Sequence, residues 1–411
     1  MADDGTLSGD IDLPDTMQAL VYDRGLDPWE TSRGLRKQTV PRPRLDPDSD
    51  PRDASAVLIR VLYSGFCGSD RGIWFRKAFR SMIHDSLDAE ERDKRIVGHE
   101  LLGEIVQVGR RANLKYGYEP GDIVSTESHI ICGTCKQCRV GDTHVCAEDK
   151  IIGISLDGCF AEYIKLPAKS LWATDLGRIR PEVAAVQEPF GNAVHACTKV
   201  DLRGKTVAIF GTGTIGLFAV LVARGLGAGR IIGIDPNPAN ADRARRLGCD
   251  EVIEPDLDGA DPVKSDPRVV EAVRAASEGG VDVALEMAGF NSSLNNAIAS
   301  TRRGGDIILF GVRDGPMTLE HYGRVIMNGL ALHAVVGRRI FETWTITKSL
   351  LEDANNGIQD AIWEVILNQG EGTLVDITDW EKEAFEGTIS EWPKAVLRFG
   401  GEPALGGRGA G

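Results

Sequence analysis

Hydrophobic and polar positions follow two different rhythms along the chain, and the change between them divides it. From Met17 to about Val200 the apolar runs are short, as in SAVLIRVLYSG, LLGEIVQVG and DIVSTESHI, with Gly, Pro and Asp turns between them. These predict strands and a β-rich domain. From Lys205 to about Val336 the runs TVAIFG, RIIGID, VDVALEMAG and GDIILFG alternate with segments of helical period such as IGLFAVLVARGLG and NPANADRARRLG. That βαβ alternation predicts a doubly wound parallel sheet with helices on both faces, so the fold class is α/β with a β-rich part. Beyond Gly337 the pattern predicts one helix over Thr345–Asn355 and a tail that returns to the first domain. Residues 1–15 and the last dozen carry no periodic pattern and are expected to fray.

Composition narrows the class. At 411 residues the chain is too long for one ordinary core, and 42% hydrophobic with 26% charged residues is a globular balance. The net charge of −14 opposes binding to nucleic acid or anionic lipid. The basic runs Arg71–Arg80 and Arg243–Arg246 are short and read as solvated helix faces. No run reaches the roughly eighteen apolar residues of a bilayer-spanning helix, and the acidic start MADDGTLSGDID is unlike a signal peptide. The expected location is the cytoplasm, where clustered cysteines point to metal rather than disulfides.

Candidate chemistry sits on three constellations. GTGTIG follows the strand-like Lys205–Phe210 and opens an apolar helix, placing Gly211, Gly213, Thr214, Ile215 and Gly216 in dinucleotide-binding spacing. Gly211 allows the tight turn, Gly213 leaves room for a pyrophosphate, and Gly216 lets helix and strand approach. Asp235 ends the next strand about twenty residues on, placed for ribose hydroxyls and against a 2′-phosphate, which predicts NAD rather than NADP. A glycine turn without a ligand is the bland alternative, and Arg243 and Arg245 lie too far along the next helix to reverse the preference.

Cys132, Cys135, Cys138 and Cys146 form C-x2-C-x2-C-x7-C, four thiolates suited to a closed, structural zinc site; an iron–sulfur cluster is the alternative. Cys67, His99, Glu100 and Glu188 are dispersed. Thiolate, imidazole and carboxylate are all zinc ligands, and three of them with one open position make a Lewis-acid site. Singly, each also fits an ordinary structural role.

Taken in order, CGSD, VGHE, the four-cysteine lobe, GCFAEY, EPFGNAVH, GTGTIG with Asp235, and GRRIFETW resemble the zinc-containing medium-chain alcohol dehydrogenases from about Met17 to Phe399, and within them the L-threonine 3-dehydrogenases. The resemblance implies a groES-like catalytic domain of residues 1–195 completed by 341–411, and a Rossmann domain of residues 196–340. It implies one structural and one catalytic zinc, the latter held by Cys67, His99 and Glu188, with Glu100 beside the metal as a carboxylate that exchanges with water or substrate. These ligand charges sum to −2 and balance Zn2+. Ser69 matches a proton-relay hydroxyl, against the plain role of a turn former. Asp70 matches a carboxylate that orients His99. Arg338 matches a position near cofactor and substrate, against that of a surface arginine.

The implied reaction moves a hydride from a secondary alcohol of a small polar substrate, L-threonine-like, to NAD+ in a homodimer or homotetramer, with no nucleic acid or membrane partner. A sugar or polyol dehydrogenase with the same chemistry is the alternative, and a non-catalytic nucleotide-binding relative a remote one. Two departures bear on the substrate. Gly72 stands where these relatives carry a histidine at the end of the proton relay, a role left to His84 or water. The stretch RGIWFRKAFRSMIH is longer than its counterpart and is expected over the substrate pocket as a lid, specificity element or interface helix.

Overall fold

Strands β1 (Thr6–Ser8), β2 (Thr16–Asp23), β3 (Arg36–Pro41) and β4 (Ala56–Phe66) open the chain, followed by helices α1 (Gly68–Trp74) and α2 (Arg80–Ala89). Then come β5 (Lys94–Ile96), β6 (Glu100–Gly109), β7 (Ile123–Thr126), β8 (Tyr163–Pro167), β9 (Leu171–Ala173) and helix α3 (Gln187–Cys197). The computed structural model describes residues 5–9, 13–312 and 315–400. Two compact units emerge, 1–188 with 367–411, and 189–366.

The first unit is the β-rich one. β4 is buried on both faces because its alternate residues feed two cores. Val57, Ile59 and Val61 join Leu20, Tyr22, Trp74 and Phe160, while Leu58 joins Met17, Val21 and Ala161. β1 pairs antiparallel with Gln107–Gly109 of β6, so residues expected to fray are tied into the sheet. Its edge pairing, three residues long, has no periodic signature in the sequence. The expectation for residues 1–4, 10–12 and 401–411 lies outside the described residues.

The second unit carries the predicted alternation: β10 (Thr206–Phe210), α4 (Thr214–Gly225), β11 (Arg230–Ile234), α5 (Pro238–Arg246), β12 (Glu251–Ile253), α6 (Pro267–Ala276), β13 (Val281–Glu286), α7 (Asn291–Ser300), β14 (Thr301–Leu309), β15 (Ala331–Ala334) and α8 (Glu342–Glu352). The six strands are parallel, in the order β12-β11-β10-β13-β14-β15. Ala208, Phe210, Ile232 and Ala284 pack with Val273 of α6 and Ile298 of α7, while the alternating Val207, Ile209, Ile231 and Val283 are buried as well, as a sheet covered on both faces requires.

The chain then returns to the first unit as β16 (Leu374–Asp376), α9 (Lys382–Glu391) and β17 (Ala395–Arg398), and β17 pairs antiparallel with β4. The first sheet runs β9-β7-β6-β4-β17-β16, with β1 on β6 and β8 on β4. The units meet after Glu188 and Ile366, where the sequence places junctions after residues 195 and 340. The later return has a packing cause: Leu350 of α8 and Ile358 close on Gly225 of α4. The earlier junction falls inside α3, whose Asn192 and His195 bond to Arg338 and the carbonyl of Gly337.

Candidate metal and nucleotide sites

β4 and β6 pair antiparallel with Gly65 opposite Glu100. That register carries Cys67, just past the end of β4, to His99 and Glu100 at the start of β6. One ligand atom from each of the three lies within 4.8 Å of the others. Asp70, on the first turn of α1, accepts from the backbone NH of Cys67 at 2.8 Å and faces His99 Nδ1 at 3.4 Å. Burial alone would lower the histidine's pKa, but Asp70 and Cys67 outweigh it and hold it well above the usual value. The Ser69 hydroxyl lies 3.3 Å from His99 Nε2, the opposite ring nitrogen.

Glu100 is sealed from solvent, and burial raises its pKa against the opposing pull of Lys394. Its Oε2 is bonded by the Lys394 ammonium, while Oε1 has no hydrogen-bond partner among the described residues. A buried carboxylate oxygen left over beside a thiol and an imidazole is what a metal position leaves behind when only the protein is considered. The sulfur, nitrogen and oxygen donor set fits zinc.

Glu188, on the first turn of α3, lies outside that 4.8 Å group. It is buried and close enough to push up the pKa of Glu100, so the structure brings Glu100 into the inner set where the sequence favours Glu188. Arg338 is buried, not a surface arginine, and donates to Asn192 Oδ1 at 2.8 Å within the second unit.

The four lobe cysteines gather their sulfurs within 4.8 Å, and none is in a disulfide. Separations of 3.6 Å for Cys132–Cys146 and 3.9 Å for Cys135–Cys146 are far beyond a covalent S–S bond. The backbone NH groups of Thr134 and Cys135 point at the Cys132 sulfur and pull its thiol down to about 6. Prepaid thiolate character suits a metal ligand.

In the second unit, Gly211 leaves β10 with φ 93°, and a Cβ there would stand 2.8 Å from that of Ala288. Space around Gly213 is open, at the N-terminus of α4, where Thr214 and Ile215 begin the helix and Gly216 is buried. The Asp235 carboxylate accepts from Thr212 N at 2.8 Å and Asn237 N at 2.9 Å, fixing it at the end of β11. An open glycine at a helix N-terminus and a fixed carboxylate on the neighbouring strand fit a dinucleotide. Arg245 is paired with Glu254, which leaves the acidic residue to set the preference.

The stretch expected as a lid, a specificity element or an interface helix is anchored in the first unit's core. Trp74, Ile83 and Leu87 are fully buried in the first unit's core, each contributing about 1.5–3 kcal/mol by leaving water. Arg76 lies over the rings of Tyr22 and Trp29, at 4.7 and 5.4 Å from their centroids. His84 Nε2 is 2.9 Å from the Tyr22 hydroxyl, its ring stacked on the tyrosine. Gly72 has a packing reason: the following turn bonds to its carbonyl, and a Cβ would stand 2.9 Å from that of Ala78. Lys394 is the site residue that sequence reasoning misses, a single lysine before an apolar run with no spacing to mark it.

The four-cysteine lobe, the Cys67–His99–Glu100 set and the six-stranded nucleotide-binding sheet together define a zinc- and NAD-dependent alcohol dehydrogenase. The alcohol dehydrogenase GroES-like domain matches residues 53–175 and the zinc-binding dehydrogenase family matches residues 214–353. The L-threonine 3-dehydrogenase of Symbiobacterium thermophilum is 36% identical over 80% of this chain and 86% of its own length. That of Pyrococcus horikoshii is 35% identical, over 74% and 82%. The fold is shared with 2R,3R-butanediol dehydrogenase from Bacillus subtilis, at a TM-score of 0.75 and 22% identity, covering 93% of this chain and 100% of that one. The chain belongs to the zinc-containing medium-chain alcohol dehydrogenase superfamily, among its threonine dehydrogenase-like members.

Proposed function

We propose that the protein oxidises the secondary alcohol of a small polar substrate of the L-threonine type, with NAD+ as hydride acceptor. The observation that carries this is the Cys67–His99–Glu100 group with its unpartnered Glu100 oxygen, in a chain similar to L-threonine 3-dehydrogenases. Cys67 and His99, with Glu100 or Glu188, would hold the catalytic zinc, which when bound supplies Lewis acidity that lowers the pKa of the alcohol. Asp70 ties the Cys67 backbone to the His99 ring and so sets the angle between two ligands. Ser69 Oγ, beside His99, receives the alcohol proton. Asp235 holds the adenosine ribose, and Arg338, fixed by Asn192, orients cofactor and substrate. Cys132, Cys135, Cys138 and Cys146 hold a structural zinc.

A sugar or polyol dehydrogenase is the second reading, favoured by Gly72 and the packed turn beside it. Following NADH formation with L-threonine, butanediols, sorbitol, inositols and glucose separates the two. Turnover of sugars or polyols alone would overturn the threonine reading.

Among the described residues no helix is long and apolar enough to cross a membrane. We place the protein in the cytoplasm, a reading supported by eight free cysteines. We also read it as a homodimer or homotetramer. The support is β15, an edge strand whose Leu332 is exposed, as are Tyr322, Ile326 and Met327 shortly before it in the chain. Light scattering on the purified protein decides it, and a monomer at working concentration would sink the oligomer.

A further inference from the structure

Glu286 is the last residue of β13, flanked in register by Phe210 of β10 and Leu309 of β14. It is 2% exposed and forms no ion pair with a cation among the described residues. Burying a carboxyl without a cation is costly, and burial here raises its pKa. Something local must repay that cost. Oε1 accepts from the backbone NH of Ala288 at 3.1 Å, the NH of Gly289 at 2.9 Å and the hydroxyl of Ser293 at 2.7 Å. One oxygen thus gathers the turn after β13 and the first residues of α7.

That turn is also where two other loops converge. Ala288 fills the space beside Gly211, the first glycine of the loop after β10. Gly289 has φ 74° and packs on Gly311, in the loop after β14. A Cβ on Gly311 would stand 2.7 Å from Glu286 Oε2. The loops at the carboxyl ends of two neighbouring strands therefore pack on the turn that this one side chain holds. In this strand order those ends face the dinucleotide, the half with the glycine loop and Asp235 taking the adenosine side and the half built on β13 and β14 taking the other.

We propose that Glu286 is a positioning residue for the nicotinamide half of the cofactor, acting as a buried acceptor that fixes the turn Met287–Phe290 against the glycine loop. It rests on the reading of Gly211–Asp235 as the nucleotide site. The acceptor matters, not the charge. Glutamine in its place keeps a carbonyl oxygen for the same three donors.

The test measures binding without turnover: NADH by its fluorescence and AMP by calorimetry, on the whole protein. Glu286→Ala is expected to weaken NADH about tenfold or more, since three buried donors lose their acceptor, and to leave AMP within about twofold. Glu286→Gln should restore NADH binding to within about threefold of the parent. If Glu286→Ala does not fold, Glu286→Asp, one methylene short, should show the same selective loss. Equal losses for AMP and NADH, unchanged NADH binding in Glu286→Ala or Glu286→Asp, or a glutamine variant as weak as alanine would each overturn the proposal. A parent protein that bound neither ligand would overturn the nucleotide-site reading itself, and this inference with it.

Discussion

Lys394 and Glu100 form an ion pair closed to solvent, between residues 294 positions apart, and the same ammonium donates to the carbonyl of Phe66 at 3.1 Å. Phe66 immediately precedes Cys67. One lysine from the returning C-terminal segment therefore steadies both the strand end that carries Cys67 and the carboxylate beside it. Breaking a buried pair on one side strands the other charge. Lys394→Met should cost about 3–5 kcal/mol of stability, and most of that should return in the double variant with Glu100→Gln. Denaturant unfolding of the four proteins measures the coupling; additive effects would refute it.

Metal content should separate the two cysteine-bearing sites. Cys132→Ser should lower bound zinc by about one equivalent per chain and weaken the lobe, while Cys67→Ser removes the other equivalent and leaves the lobe intact. Elemental analysis of the purified variants measures both. A single equivalent in the parent, lost with Cys132→Ser alone, would mean that Cys67 holds no metal.

Asp235→Ser should weaken NADH and narrow its advantage over NADPH by about tenfold or more, because a fixed negative charge no longer meets the 2′ position. The comparison is of the two dissociation constants. An unchanged ratio would remove the residue from cofactor choice.

Alkaline stability should depend on Tyr118. Burial, helped by Asp122 and Tyr116, pushes its hydroxyl from 10.0 up to about 12, and the hydroxyl donates to the Leu171 carbonyl at 3.1 Å. An unfolded chain gives up that proton near pH 10, so between about 10 and 12 the unfolded state holds fewer protons than the folded one. Its contribution is fully present below about pH 10 and is lost as the pH rises through the folded value. Unfolding midpoints across that range should fall less steeply in Tyr118→Phe, and equal slopes would contradict the assignment.

What sequence could deliver depended on distance along the chain. The four-cysteine spacing and the strand-glycine-helix pattern are local, and the structure places those residues together as their spacing implies. Cys67 and His99 required the pairing of β4 with β6, which resemblance supplied and periodicity did not. Lys394 and Glu286 were not legible. The first acts across almost the whole chain, and the second hides in VDVALEMAG as one acid ending an apolar strand. The placement of α8 with the second unit was equally hidden, because packing of Leu350 on Gly225, not helix propensity, decides it.

The turn packed against Gly72 has a further meaning. The absence of an imidazole at the end of the implied proton relay and the length of the neighbouring stretch look like two separate features of the sequence. At Gly72 they are one, since the space a side chain would need is taken by Ala78 and the turn behind it. A side chain placed at position 72 alone would meet Ala78, so room for it requires the turn to move. On the implied chemistry, a proton leaving the Ser69 hydroxyl would need an exit that does not run through a side chain at position 72.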